Sequence, residues 1–390
     1  MKFSHFLTSK KTGTLAFLAV FFSFLNANAQ NHDHEQLNDS LAVEHTVAAH
    51  EAHHDEKEFE ITSFIFHHIG DSHEFRFWGH GDSWTGLYLP IILYTDNGLV
   101  CFSSKEFHLN EDGSVVVEKA GMRFARAHGK IYYAADEPVH GSYVHHEKNA
   151  SGDEVVTNVR PLDFSITKNA FTVLFSAVAL ALIFLTVARG YKKRDGKAPK
   201  GLQSVMEPLI IFVRDDIAKP NLGHKYERYM PYLLTAFFFI WFNNMFGLVP
   251  FFPGGANVTG NIAVTMVLAL ITLVIILFSG NKYYWGHIFN PPVPWWLKPL
   301  MIPVEIFGVF TKPFALMIRL FANITGGHIL VLCILCLVFI FQSLAVAPVS
   351  VFFVVFISII ELLVAFIQAF IFTILSAVFI GMAIEEHADH

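Results

Sequence analysis

Charge is scarce in this sequence. Only 15% of its 390 residues are Asp, Glu, Lys or Arg, against 53% hydrophobic, which is the composition of a membrane protein and not of a solvated, disordered chain. Cysteine is scarcer still, with three in all. Cys101 stands apart from the other two, so no disulfide framework is available. Cys333 and Cys336 form a C-x-x-C inside lipid-grade sequence, where two small packing residues are a better reading than a redox or metal pair. Lys and Arg never gather into an aromatic-interleaved surface, which argues against nucleic acid as a partner. A nucleophile–base set, a phosphate loop and a metal constellation are all missing, so the sequence offers no enzyme reading and implies no cofactor.

What charge there is has been sorted along the chain. Residues 1–29 carry Lys2, Lys10 and Lys11, an apolar run from Leu15 to Leu25, and Ala27-Asn28-Ala29. This pattern predicts a secretory signal peptide, with an uncleaved anchor as the alternative. Residues 30–73 are rich in His, Glu and Asp. They read as an exported tail, either solvated and disordered or weakly metal-binding and proton-buffering, with a spacing that matches no defined metal site. Residues 74–160 change character. Two apolar runs flank Thr95-Asp96-Asn97-Gly98, a hairpin signal, and short β-type runs follow Asp112-Gly113 and His128-Gly129. A small antiparallel β-rich domain on the exported side is the expectation.

From residue 161 the chain reads as membrane domain. The span at about 169–188 is followed by Arg189, Lys192, Lys193 and Arg194, which assigns that end to the cytoplasm by the positive-inside rule. Residues 201–229 contain a short amphipathic segment suited to the cytoplasmic surface. Spans at about 231–250 and 261–279 cross out and back, joined by a loop without Lys or Arg. A second cytoplasmic loop follows, with interfacial Tyr and Trp and with prolines that forbid a helix around 291–294. The apolar stretches 300–342 and 348–384 are each too long for one upright span of about 20 residues. They must tilt, kink or lie partly in the membrane plane.

Polar residues interrupt those last two stretches in register. Glu305, Lys312 and Arg319 are spaced by seven, within about 40° of one helical line, and Asn323 keeps to that side. His328, nine after Arg319, points the opposite way. Glu361 and Gln368 repeat the spacing of seven on the last stretch, with Ser358 one turn before. A cationic side chain at mid-membrane costs about 2.5–3.5 kcal/mol on insertion scales. A snorkelling Arg is the bland alternative, but long apolar runs on both sides of Arg319 make escape to headgroups difficult. Two polar stripes on adjacent helices read as an ion pathway.

At these residues a resemblance becomes specific. Arg319-Leu320-Phe321-Ala322-Asn323, Gly327-His328, and Glu361 with Gln368-Ala369-Phe370-Ile371-Phe372 resemble subunit a of the F-type ATP synthases, over roughly residues 162–384. The resemblance implies an all-α polytopic membrane protein of about five membrane helices, the last two long and strongly tilted, with the small exported β-rich domain as an addition to the family core. It implies a bacterial inner-membrane location with the N-terminal region periplasmic and the C-terminus cytoplasmic. It also implies a stationary proton-channel role beside a rotor c-ring, with peripheral-stalk subunit b and lipid as neighbours. Arg319 would exchange protons with rotor carboxylates between two aqueous half-channels, and Asn323 and Gln368 would support it. His328 and Glu361 would line one half-channel as an acid–imidazole pair. Asn244 matches a polar position near the outer access path, and Gly247 stands where bacterial relatives often carry Asp. Glu305 and Lys312 are expected toward the cytoplasmic side, as channel groups or as a structural salt bridge. The rival reading is a stand-alone ion or metal transporter fed by the His-rich tail, although no transporter-type internal repeat is visible.

Overall fold

The computed structural model describes residues 69–78, 85–139, 141–148, 154–194, 197–249, 254–341 and 344–385. The expected signal peptide, and the His/acid-rich tail as far as residue 68, lie outside the described residues.

Short antiparallel strands build the first part. β1 (Glu74–Trp78) pairs with β2 (Thr85–Tyr88). β3 (Pro90–Thr95) and β4 (Gly98–Ser103) form the hairpin expected around Asp96-Asn97, with Thr95 opposite Gly98. β5 (Asp112–Lys119), β6 (Met122–Ala127) and β7 (Lys130–Tyr133) make a meander. Its second turn, His128-Gly129, has positive φ at both residues, as a two-residue turn matched to strand twist requires. β8 (His146–Lys148) pairs with β9 (Glu154–Val156). β10 (Leu162–Asp163), just past the expected boundary at 160, returns to pair with β3. Alternation buries Ile91 and Leu93 of β3 against Val100, Phe102, Phe107, Phe124 and Ile131.

β10 leads directly into α1 (Lys168–Lys193), and the β-rich part is fastened to the start of this helix. The Thr167 hydroxyl accepts from the Ala170 N–H, and the Asp71 carboxylate accepts from the Asn169 N–H at 3.0 Å. An acid at a helix N-terminus satisfies a free donor and complements the helix dipole. Lys168 N–H donates to the Ser72 carbonyl at 2.7 Å, and Phe75 stacks edge-on against Phe171.

The helical part continues with α2 (Leu202–Phe212), a π-helical stretch (Val213–Ala218), α3 (Lys219–Leu222), α4 (Tyr226–Leu248) and α5 (Ile262–Ser279). The loop after α5 holds a helix that its aromatic and Pro-rich sequence did not announce, α6 (Lys282–Phe289). The prolines at 291, 292 and 294 follow it and so bound it without preventing it. α7 (Lys298–Ile340) and α8 (Ala347–Ile384) complete the fold. Among the described residues, five helical segments are long and apolar enough to cross a membrane. At 43 and 38 residues, α7 and α8 are about 65 and 57 Å long at 1.5 Å per residue, twice a hydrocarbon core of about 30 Å. Pro303 and Pro313 lie within α7 without ending it.

α8 packs against α4, α5 and α7. Its inner face is made of small residues, Ala365, Ala369, Ala377, Gly381 and Ala383, which let backbones approach closely. At Gly381 a Cβ atom would run into the backbone carbonyl of Asn221, so only glycine permits that crossing. Phe237, Phe238, Leu233 and Ile240 of α4 meet Phe372 and Ile380 in the shared core. Two buried hydroxyls on these helices bond to their own backbone, Thr272 to Leu268 O and Thr373 to Ala369 O, which satisfies them where water is absent.

Candidate functional site

Arg319 is the central residue of α7. Leu316 and Leu320 are buried on the helix face toward the core, while the Arg319 side chain stands exposed on the other. Among the described residues no ion pair joins Arg319 to a carboxylate. One turn later Asn323 donates its amide N–H to Gln368 Oε1 at 2.9 Å, across the α7–α8 contact. Gln368 is only 2% exposed, so this bond fixes the register of the two helices beside the cation.

Next to this bond lies a small cavity of about 20 Å³, lined by Asn244 and Leu248 of α4, Asn323, Ile324 and His328 of α7, and Glu361 and Val364 of α8. That is room for about one water molecule. His328, on the opposite side of α7 from the Arg319 line, faces α4. A Cβ built on Gly247 would stand 3.6 Å from His328 Nε2, so an acid at this position would point at the imidazole and glycine leaves the space open. Gly327 has the complementary role, because a Cβ there would collide with the Glu361 carboxylate. The absence of a side chain at 327 lets Glu361 reach the backbone of α7.

The loop after α4 holds Asn244 from behind the cavity. Ala256, Val258 and Thr259 are buried. The Thr259 hydroxyl donates to Asn244 Oδ1 at 2.6 Å, and the Asn244 amide N–H donates to Ala365 O at 3.4 Å. Thr259 therefore orients Asn244. The sequence signal for it was weak: a short polar run, Asn257 to Asn261, in a loop without Lys or Arg. Ser358 behaves differently from Glu361 and Gln368. It is exposed on α8 and does not line the cavity: it keeps to the Glu361 side of the helix, but it lies in the first part of α8, where most side chains are exposed.

Glu305 and Lys312 belong to a second, separate hollow. A cleft of about 200 Å³ is bounded by Tyr284 and His287 of α6, Glu305 and Lys312 of α7, and Glu385 just past α8. Among the described residues no ion pair links Glu305 to Lys312. The Lys312 ammonium lies 5.8 Å from the Phe379 ring centre instead, a cation–π contact. Burial raises the pKa of Tyr284, and the nearby Glu305 carboxylate adds to this.

The geometry thus gives an exposed mid-helix cation, an interhelical amide bond, a carboxylate–imidazole cavity on one side and an ionisable cleft toward the other end of α7. Residues 171–381 match the family described as ATP synthase A chain, and residues 64–164 match a domain of unknown function, DUF8433. ATP synthase subunit a of Chloroherpeton thalassium is 48% identical over 235 residues, 58% of this chain and 69% of that protein. ATP synthase subunit a 2 of Chlorobaculum tepidum is 46% identical over 60% of this chain and 67% of its own length, and ATP synthase subunit a of Myxococcus xanthus is 46% identical over 59% and 77%. The chain belongs to the ATP synthase A chain family, the non-catalytic proton-channel subunit of the membrane sector of the F-type enzyme.

Proposed function

We propose that Arg319 is the fixed charge that separates two aqueous half-channels and exchanges protons with the carboxylates of a rotor c-ring. The observation that carries this reading is the exposed Arg319 beside the Asn323–Gln368 bond, with the Glu361–His328 cavity adjoining it. An arginine keeps its proton in a protein. A mobile rotor carboxylate that meets it is pulled toward the charged form and releases its proton into one path. Having passed Arg319, it returns toward lipid only after taking a proton from the other path. A fixed positive charge also repels protons that would leak directly between the paths. Each proton crossing the potential delivers about 2.3 kcal/mol per 100 mV.

In this mechanism Glu361 and His328 form the exchangeable pair of the outer half-channel. Asn244, held by Thr259, supplies a polar wall. Glu305 and Lys312 line the inner half-channel at the cleft. Ser358 is left to the helix surface, where it faces lipid or the rotor. The β-rich domain is periplasmic and the Lys192–Arg194 end cytoplasmic, in a bacterial inner membrane. The surface helix α2 is the docking region for peripheral-stalk subunit b, and the exposed apolar faces of α7 and α8 meet the c-ring and lipid.

Glu361→Gln tests the pathway assignment in vesicles carrying the assembled complex. ATP-driven proton pumping and ATP synthesis are expected to fall together by about a hundredfold, the low end for a lost proton-transfer group, while ATP hydrolysis by detergent-released complex persists. Pumping at the normal rate would remove Glu361 from the path.

A further inference from the structure

Helix α6 brings a titratable ring to the ionisable cleft. Its one buried residue, Ile288, packs with Leu273 of α5 and Val309 of α7. Asn281, just before the helix, donates its side-chain amide to Ile384 O at 2.9 Å and its backbone N–H to Ala383 O at 3.0 Å, clamping α6 to the end of α8. With Ile288 turned inward, its neighbour His287 stands exposed at the rim of the cleft. The groups that face it are Tyr283 and Tyr284 on its own helix, Glu305 and Lys312 on α7, and Glu385 after α8. An imidazole between a channel carboxylate and solvent is the side chain that can both accept and release a proton near neutral pH.

We propose that His287 is the proton-transfer group between Glu305 and bulk solvent. In the synthesis direction a proton leaving the Glu305 carboxyl passes to the His287 imidazole, leaving a carboxylate. The resulting imidazolium then gives its proton to water or to a soluble buffer base. During ATP hydrolysis the same two transfers run backwards. The proposal rests on the reading of the cleft as the inner half-channel.

The test uses inverted membrane vesicles with the whole complex, comparing wild type, His287→Gln, His287→Glu and Glu305→Gln. ATP-driven proton uptake is followed at low and at high concentrations of imidazole buffer on the α6 side. His287→Gln is expected to slow uptake severalfold at low buffer and to recover at high buffer, because a mobile base then replaces the lost ring. His287→Glu, which keeps a titratable group, is expected to retain most of the rate. Uptake by His287→Gln equal to wild type at low buffer, alongside a slow Glu305→Gln, would overturn the role of His287 and leave the half-channel reading standing. A His287→Gln defect that buffer does not relieve would assign the ring a structural role and also overturn it. Normal uptake by Glu305→Gln would overturn the half-channel reading on which the proposal rests.

Discussion

At the residue scale, the polar groups that matter are those that an apolar helix tolerates at a cost. Arg319, Asn323, Glu361 and Gln368 were legible because each interrupts a long hydrophobic run at a spacing that fixes a helix face. Their partners were not legible in the same way. The Asn323–Gln368 bond joins residues 45 positions apart, and periodicity within one helix does not say which side chain of another it will meet. Truncation by Asn323→Ala leaves buried Gln368 without its donor, a loss of about 1–3 kcal/mol. The expected result is a complex that detergent dissociates more readily, read as loss of the subunit on native gels at graded detergent. Gly327 gives a sharper case, because a methyl group there meets the Glu361 carboxylate. Gly327→Ala is expected to cost about 1–3 kcal/mol by overpacking and to slow proton pumping, and Glu361→Asp, one methylene shorter, is expected to restore part of the rate in the double variant. A double variant no better than Gly327→Ala alone would show that the clash does not act through Glu361.

At the element scale, the last two long helices were readable to within a few residues because lipid-grade sequence ends abruptly at charge or proline, whereas the helices expected over 169–188 and 231–250 each run five residues further, to Lys193 and back to Tyr226. α7 and α8 were expected over 300–342 and 348–384, and they run Lys298–Ile340 and Ala347–Ile384. The surface helix α6 escaped notice because Lys282 to Phe289 is short, aromatic and only weakly patterned. Its position is set by tertiary contacts of Asn281 and Ile288. In the β-rich part the hairpins announced themselves through turn chemistry, whereas the ion pair inside it did not. Arg126 of β6 is 1% exposed and bonds to Glu74 of β1 through both terminal nitrogens, at 3.0 and 3.4 Å, and through Nε to Asn110 O at 2.9 Å. Removing one partner of such a pair strands the other charge, at about 3–5 kcal/mol. Arg126→Met is therefore expected to render this region sensitive to protease in the intact complex, and the double variant Arg126→Met with Glu74→Leu is expected to recover much of its resistance. Equal sensitivity in both would place the effect in packing around Phe107, not in the stranded carboxylate.

At the scale of the whole molecule, two parts of different character meet at one joint. The β-rich part holds the start of α1 through Asp71, Ser72 and Phe75, and His73 is buried at this joint, 3.9 Å from Asp163. Burial lowers the His73 pKa below its ordinary value, against the pull of Asp163 and Asp71, so the folded form keeps the ring neutral. The unfolded chain takes up a proton first as the pH falls. The stability contribution is thus complete above the ordinary histidine value of about 6.5 and is lost as the pH drops from there through the lower folded value. Protease resistance of residues 85–163 in the intact complex is expected to fall between about pH 7.5 and about pH 5.5, with a shallower dependence in His73→Phe. An unchanged slope would show that another group governs the joint.

The role proposed for Arg319 is twofold: it drives rotor carboxylates to exchange protons, and it keeps the two paths apart. Passive proton flux and ATP synthesis in vesicles containing the assembled complex, wild type against Arg319→Ala, test it most directly. The expected result is loss of synthesis with passive flux retained or raised. Normal ATP synthesis by Arg319→Ala would rule that role out.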